Sequence, residues 1–246
     1  MITIETISKR FKKLQALHQI SVSMNPSQVI SLIGPNGSGK TTLIKSILGL
    51  VKPDSGNIYF DGTAIDEKVA YRKQIGYMPQ IGRYPDNMKV GQLFDVLKNI
   101  RSQSEPLDNE LYYGFKLDAI RDKSMRALSG GTRQKVSAAL AFMFNAAVLI
   151  LDEPTAGLDP LSSELLKEKI LAEKQKGKLI LITSHILSDL EELTTNVLYL
   201  QEGKLIFYKT LAALREETGE EKLSKAIAWH MNHAAKKETS YLKIAK

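Results

Sequence analysis

The sequence predicts an α/β fold with a small helical insert, on three observations. A buried apolar strand, Val29 to Ile33, runs into the glycine-rich string GPNGSGKT at 34–41. It then enters a helix whose Leu43, Ile44, Ile47 and Leu48 share one face. Further strand signals at Val148 to Leu151, Leu179 to Thr183 and Val197 to Leu200 alternate with helical patterns at Pro160 to Lys176 and Ile186 to Leu193. From about residue 83 to 128 the character changes. Val90, Leu93, Phe94, Leu97 and Ile100 recur at helical spacing, and Tyr112, Phe115 and Leu117 lie on a second helical stretch.

The remaining elements follow from local punctuation. Residues 2–7 and 20–24 read as short alternating strands. Gly49 stops the first helix, and Pro53, Asp54, Ser55 and Gly56 form a turn. Ile58 to Phe60 followed by Asp61-Gly62 is a hairpin signal, and Ile75 to Met78 is another strand. Asp159 before Pro160 is an N-cap followed by proline at the first helical position, and Gly177 ends that helix. Gly203 turns the strand ending at Leu200 into Leu205 to Tyr208, and the chain from 209 onward reads as an amphipathic helix.

Composition narrows the function classes. At 246 residues, the chain fits one large domain or a domain with a small subdomain inserted. A hydrophobic share of 43% supports a core and excludes disorder of the whole chain. Cysteine is absent, which removes disulfide scaffolds, cysteine nucleophiles and iron–sulfur sites. The net charge of +7 is spread without a run of five like charges, so it reads as a solvated basic surface, and no nucleic acid partner is expected. The most apolar stretch, Ala138 to Leu151, is 14 residues long and is cut by Asn145; a membrane span needs about 20. The start alternates and then turns basic, without an apolar signal core. Any membrane part must therefore come from another chain.

The string at 34–41 carries chemistry. Its glycines let successive backbone N–H groups converge on one anion, and the following helix adds its positive end. Lys40 supplies a point charge for the β- and γ-phosphates, and the Thr41 hydroxyl can ligate Mg²⁺. Asn36-Gly37-Ser38 is also a glycosylation sequon, which a phosphate loop makes a decoy.

Asp152 and Glu153 end a buried strand, where α/β sheets bind ligands. An acid there can hold Mg²⁺, and its neighbour can orient or deprotonate an attacking water. Strand alternation predicts that the two point in different directions. His185 ends the next strand, at the same rim. Leu128 to Thr132, LSGGT, opens an apolar helix through Phe144, with Ser129 as N-cap and Gly130 and Gly131 exposing backbone N–H groups. This is a second anion site. If it serves a nucleotide held by another copy, two copies pair head to tail.

In combination and order these motifs resemble the ATP-binding subunit of an ABC transporter, over residues 1 to about 210. The resemblance implies a P-loop NTPase core with an antiparallel β subdomain and an α-helical subdomain inserted at about 83–145. Residues 211–246 are then a short, helical C-terminal extension. ATP and Mg²⁺ are the implied cofactors. Gly34, Pro35, Asn36, Gly37, Ser38, Gly39, Lys40, Thr41 and Thr42 match the Walker A region, Val148 to Asp152 the Walker B strand, and Leu128 to Thr132 the signature motif. Gln80, after Tyr77-Met78-Pro79, matches the glutamine that touches Mg²⁺ and reports to the membrane partner. Glu153 matches the catalytic glutamate, Asp159 the D-loop aspartate and His185 the switch histidine. Phe11 falls where an aromatic residue stacks on adenine. Thr132 replaces the usual signature glutamine and Phe11 the commoner tyrosine; both leave the needed donors or stacking face in place.

The resemblance further implies that two ATPs are sandwiched between two copies. Each site would pair Lys40 and Glu153 of one copy with Ser129 and Gly131 of the other. A multi-spanning permease would be met near Gln80 to Val90, with Ile81, Arg83 and Tyr84 in the groove. The chain would then sit in the cytoplasm, peripheral on the cytoplasmic face of the cell membrane.

Only 87 residues separate Thr41 from Ser129, with no heptad array, which sets aside chromosome and repair ATPases; one cassette sets aside translation-factor types. A single-cassette cytosolic regulator is the remaining alternative. For cargo, the strings at 130–142 and 152–160 resemble ATPases that support copper or sulfur supply for nitrous oxide reductase maturation, while multidrug and lipid exporters share much of the pattern. Trp229, His230, Met231 and His233 suggest a copper site at first sight, but two histidines make a poor one, and a tail helix packed on its own body accounts for them.

Overall fold

The computed structural model describes residues 1–65, 69–101 and 106–231. Strands β1 (Ile2–Phe11) and β2 (Leu14–Met24) form one long hairpin, with Ile2 opposite Met24 and Phe11 opposite Leu14. Both run further than the alternation suggests. The pairing shifts register between Ile4 and Ile7, and Thr6 and Gln19 sit at positive φ, so the period-2 pattern is broken although the ladder continues. Strands β4 (Ser55–Phe60) and β5 (Thr63–Ala64) extend this sheet in the order β2-β1-β4-β5, antiparallel throughout.

The second sheet holds β3 (Val29–Ile33), β6 (Ile75–Met78), β7 (Val148–Asp152), β8 (Leu179–Thr183), β9 (Asn196–Gln201) and β10 (Lys204–Thr210), in the order β10-β9-β3-β8-β7-β6. All neighbours are parallel except β9 and β10. Every residue of β3 and β8 is buried, the pattern of strands covered on both faces. The pleat divides them. Ile30, Leu32, Val148, Ile150, Leu179 and Leu181 pack toward the hairpin sheet and helix α1 (Lys40–Ile47). Val29, Ile33, Leu149, Leu151, Ile180 and Ile182 pack toward the opposite core.

That opposite core is built with α2 (Val90–Arg101), α3 (Glu110–Gly114), α4 (Gly130–Phe142), α5 (Pro160–Gln175), α6 (Leu187–Glu191) and α7 (Leu211–Thr218). Asp159 caps α5 as its residue type predicts, accepting from Ser162 N at 3.0 Å. Three helices are shorter than the apolar pattern suggests. The stretch through Tyr112 and Leu117 breaks at Lys116, whose φ of 54° ends α3 before a short 3₁₀ turn at Leu117–Ile120. The helix begun at Gly130 stops at Phe142, and the one expected from Ile186 to Leu193 is the single turn of α6. Beyond α7, residues 223–231 are helical and bury Leu223, Ala226 and Ile227 in the same core. The His230 ring packs against Phe207, centroids 4.6 Å apart, in keeping with a tail packed on its own body. His233 lies outside the described residues.

Candidate functional site

The parallel strands share a polarity, so the loops after β3, β6, β7 and β8 emerge at one rim. The loop after β3 is shaped by glycines at positive φ, 80° at Gly37 and 105° at Gly39. At Gly39 a Cβ would also stand 2.5 Å from the Ala16 carbonyl oxygen, so the loop both turns and presses against the hairpin there. Gly39 precedes α1 without a side-chain cap, leaving the first backbone N–H groups of α1 for a ligand. Ser38 Oγ is buried and has no hydrogen-bond partner among the described residues, which suits a loop that completes its bonding on an anion. The Lys40 ammonium donates to Gly34 O at 2.6 Å and Pro35 O at 3.1 Å. Burial pulls the Lys40 pKa below its ordinary value, and the charges of Glu153 and Asp152 partly restore it.

A cleft of about 440 Å³ opens over this loop, lined by Asn36 through Thr42 with Gln80, Asp152, Glu153 and His185, and by Phe11, Leu14 and Ala16 from the hairpin. Gly34 and Pro35 do not line it; their carbonyls hold Lys40. Phe11 stands at the hairpin end, 44% exposed, with Lys9 Nζ 5.5 Å from its ring centroid.

The two acids depart from the alternation argument. They line the same cleft, because β7 ends at Asp152 and Glu153 turns into the left-handed region at φ 55°. Their partners differ. Asp152 Oδ1 accepts from Thr183 Oγ1 at 2.5 Å. Glu153, only 7% exposed, accepts from His185 N at 3.1 Å through Oε2, and its Oε1 lies 3.3 Å from His185 Nε2. Sequence reasoning missed Leu14 and Ala16, which follow Phe11 on the hairpin, and Thr183, whose only signal was its place two residues before His185.

The hydroxyl of Thr41, the amide oxygen of Gln80 and the carboxylate of Asp152 are oxygen donors on one cleft, the ligand class that Mg²⁺ takes. Glycine freedom, a half-buried lysine and an orphan hydroxyl fit a nucleotide's phosphates in the same place.

Ser129, Gly130, Gly131 and Asp159 are not brought to this cleft. Ser129 caps α4, accepting from Thr132 N at 3.3 Å, and the Thr132 hydroxyl pairs with it at 2.9 Å. Gly131 lies so near the Gly157 carbonyl that no Cβ would fit. Lys135 Nζ stands 2.7 Å from Asp159 Oδ2. That bond, with those from Ser162, holds the Asp159 carboxyl well below the usual carboxylate range. A second cavity, also about 440 Å³, is lined by Ile81, Gly82, Arg83, Tyr84, Asp86, Met125 and Arg133, with Ile81 70% exposed. No described helix is long and apolar enough to cross a membrane.

Comparison with known proteins agrees with this geometry. Residues 17–156 match the ABC transporter family. The chain is 34% identical over 221 residues to the lantibiotic transport ATP-binding protein SrtF of Streptococcus pyogenes, covering 85% of this chain and 90% of that protein. It is 32% identical over 214 residues to the lipopolysaccharide export system ATP-binding protein LptB of Haemophilus influenzae, covering 84% and 89%. A solved structure described as the ATP-binding subunit of an ABC transporter superposes with a TM-score of 0.87 at 27% identity, covering 94% of this chain and 99% of that one. With a phosphate loop, two acids and a histidine on one cleft and a second helix N-terminus outside it, the chain belongs to the ABC transporter family, as one of its ATP-binding chains.

Proposed function

We propose that this chain hydrolyses ATP and couples it to a separate membrane-spanning permease. The observation that carries the reading is the meeting of Lys40, Asp152, Glu153 and His185 on one cleft, with Ser129 to Gly131 lying outside it. In this reading the backbone of 34–39 and Lys40 hold the phosphates, Thr42 supports the same end, and Phe11 stacks on adenine. Thr41, Gln80 and Asp152 would hold Mg²⁺, which when bound neutralises phosphate charge. Glu153 orients a water and takes its proton as the water oxygen bonds to the γ-phosphorus. The bond from that phosphorus to the bridging oxygen breaks, and ADP and inorganic phosphate leave. His185 steadies Glu153 and the transferred group. Ser129, Gly130 and Gly131 of a head-to-tail second copy close over the nucleotide, with Asp159 at the junction.

Residues 1–210 form the ATPase unit in this reading, with the helical insert at about 83–145 and an extension at 211–246. The Ile81–Tyr84 cavity receives the permease, which keeps the chain peripheral on the cytoplasmic face of the membrane. Lipopolysaccharide export and lantibiotic transport in the relatives' names favour an export cargo over copper or sulfur supply for nitrous oxide reductase maturation. Capture of the Glu153→Gln chain with ATP from detergent-solubilised membranes tests the coupling. One multi-spanning protein should co-purify; recovery only from the soluble fraction would favour a cytosolic regulator.

Phe11→Ala should raise the KM for ATP about fivefold with kcat unchanged, since a half-open stacking contact contributes on the order of 1 kcal/mol to ground and transition states alike. Phe11→Tyr should leave both unchanged. Steady-state kinetics over an ATP series decides it; a fall in kcat alone would contradict the stacking role.

A further inference from the structure

We infer that Thr183 and Gln134 are positioning residues for hydrolysis, holding the Glu153 peptide in its left-handed turn; this rests on the ATPase reading above. A glutamate at φ 55° occupies a conformation that side-chain-bearing residues avoid, so its surroundings must enforce it. The bonds that do so are on its own peptide groups. Glu153 N donates to Thr183 O at 3.1 Å and to Thr183 Oγ1 at 3.0 Å. Glu153 O accepts from Ala156 N at 3.1 Å and from Gln134 Nε2 at 3.0 Å.

The Thr183 hydroxyl has one proton, which goes to Asp152 Oδ1, and its lone pair accepts from Glu153 N. One oxygen therefore sets the Asp152 carboxylate and the Glu153 backbone relative to each other. Neither side chain lines the cleft, and both are buried: Thr183 is 1% exposed and Gln134 6%. Gln134 reaches Glu153 from α4, so the helix capped by Ser129 is tied to the Glu153 peptide through one bond. Without these bonds the turn relaxes and the Glu153 carboxylate leaves the place where it meets water, although the phosphate loop is untouched.

Thr183→Val keeps shape and removes the hydroxyl. Its kcat should fall about 10–100-fold, the usual effect of losing a group that orients a metal ligand or catalytic side chain. Its KM for ATP should stay within about threefold of wild type, since the phosphate loop and Lys40 are untouched. Thr183→Ser restores the hydroxyl and should recover kcat to within about threefold. Gln134→Met should also lower kcat at unchanged KM. Assays use the purified full chain with MgATP, and melting midpoints identify variants that do not fold. Should Thr183→Val fail to fold, Gln134→Met decides alone: wild-type kcat there overturns the inference. So does wild-type kcat in Thr183→Val, or a fall in Thr183→Ser as large as in Thr183→Val. A wild-type chain without turnover overturns the ATPase reading and this inference together, whereas turnover equal in wild type and variants overturns only the inference.

Discussion

Glu153→Gln is expected to lower ATP turnover by about 10²–10⁴-fold, the usual worth of a general base, or roughly 3–5 kcal/mol of barrier. ATP should still bind and should hold two copies together. The substitution preserves the shape of a side chain that is 7% exposed, and the amide oxygen can still accept from His185 N. What it removes is the capacity to take a proton. Lys40 and the glycine loop, which hold the phosphates in this reading, are separate from it. Phosphate release measured beside gel filtration with and without ATP separates chemistry from pairing. Unchanged turnover in the variant would show that another group activates the water.

Lys169→Met should cost about 3 kcal/mol of stability, near the lower end of the range for breaking a buried ion pair. Lys169 is 1% exposed, and its ammonium meets Asp108 Oδ2 at 2.5 Å, Glu110 Oε2 at 2.6 Å and Glu173 Oε1 at 3.0 Å. These contacts join α5 to the start of α3. Burial lowers the Lys169 pKa, but the hydrogen bonds to Asp108, Glu110 and Glu173 outweigh it and hold the group above its ordinary value. Glu173, wholly buried, keeps Lys176 and Lys178 in the variant. Asp108 loses its ion-pair partner, which is where the cost arises, and the two lysines that remain on Glu173 keep that cost at the low end.

The same cluster has a pH signature. Burial pushes the Glu173 carboxyl up, while hydrogen bonds from Lys176, Lys178 and Lys169 outweigh that and hold it at about 2, below the ordinary 4.5. A depressed carboxylate stabilises the fold above its unfolded value and loses that contribution as pH falls. Wild type should therefore lose stability between pH 4.5 and about 2 beyond what Glu173→Gln loses. Urea unfolding at stepped pH reads both effects. A Lys169→Met chain as stable as wild type at pH 7 would show that the pairing offsets only its own desolvation.

The elements that bear the chemistry were legible because they are local. A strand of five apolar residues, a glycine loop, a lysine and an amphipathic helix are contiguous, and each follows from backbone geometry alone. Asp159 before Pro160 likewise announced a helix start. Helix ends were less legible. Lys116 in the left-handed region breaks a pattern that stays apolar through Leu117, and nothing in its residue type requires that turn. Hairpin length was hidden by bulges, since each inserted residue reverses the apparent face of those that follow. The directions of Asp152 and Glu153 were misread for a related reason: alternation holds only while the strand continues, and β7 ends between them.

By itself the sequence determined the residue types, the phosphate loop, the acids at a strand end, the second glycine-rich helix start and the family these imply. The tertiary structure decided which of them meet. The order β3-β8-β7-β6 sets β8 between the strands that lead to Lys40 and Glu153, so His185 emerges between them and Gln80 beyond. It also decided that Ser129 to Gly131 stay outside, that Thr183 bridges two acids, and that Lys169 gathers carboxylates from two parts of the chain. The physical reason is sequence distance. Periodicity and capping record bonds made within a turn or two, whereas Thr183 and Asp152 lie 31 positions apart and Lys169 and Asp108 lie 61 apart. Partners that far apart are chosen by strand order and packing, which no local pattern encodes.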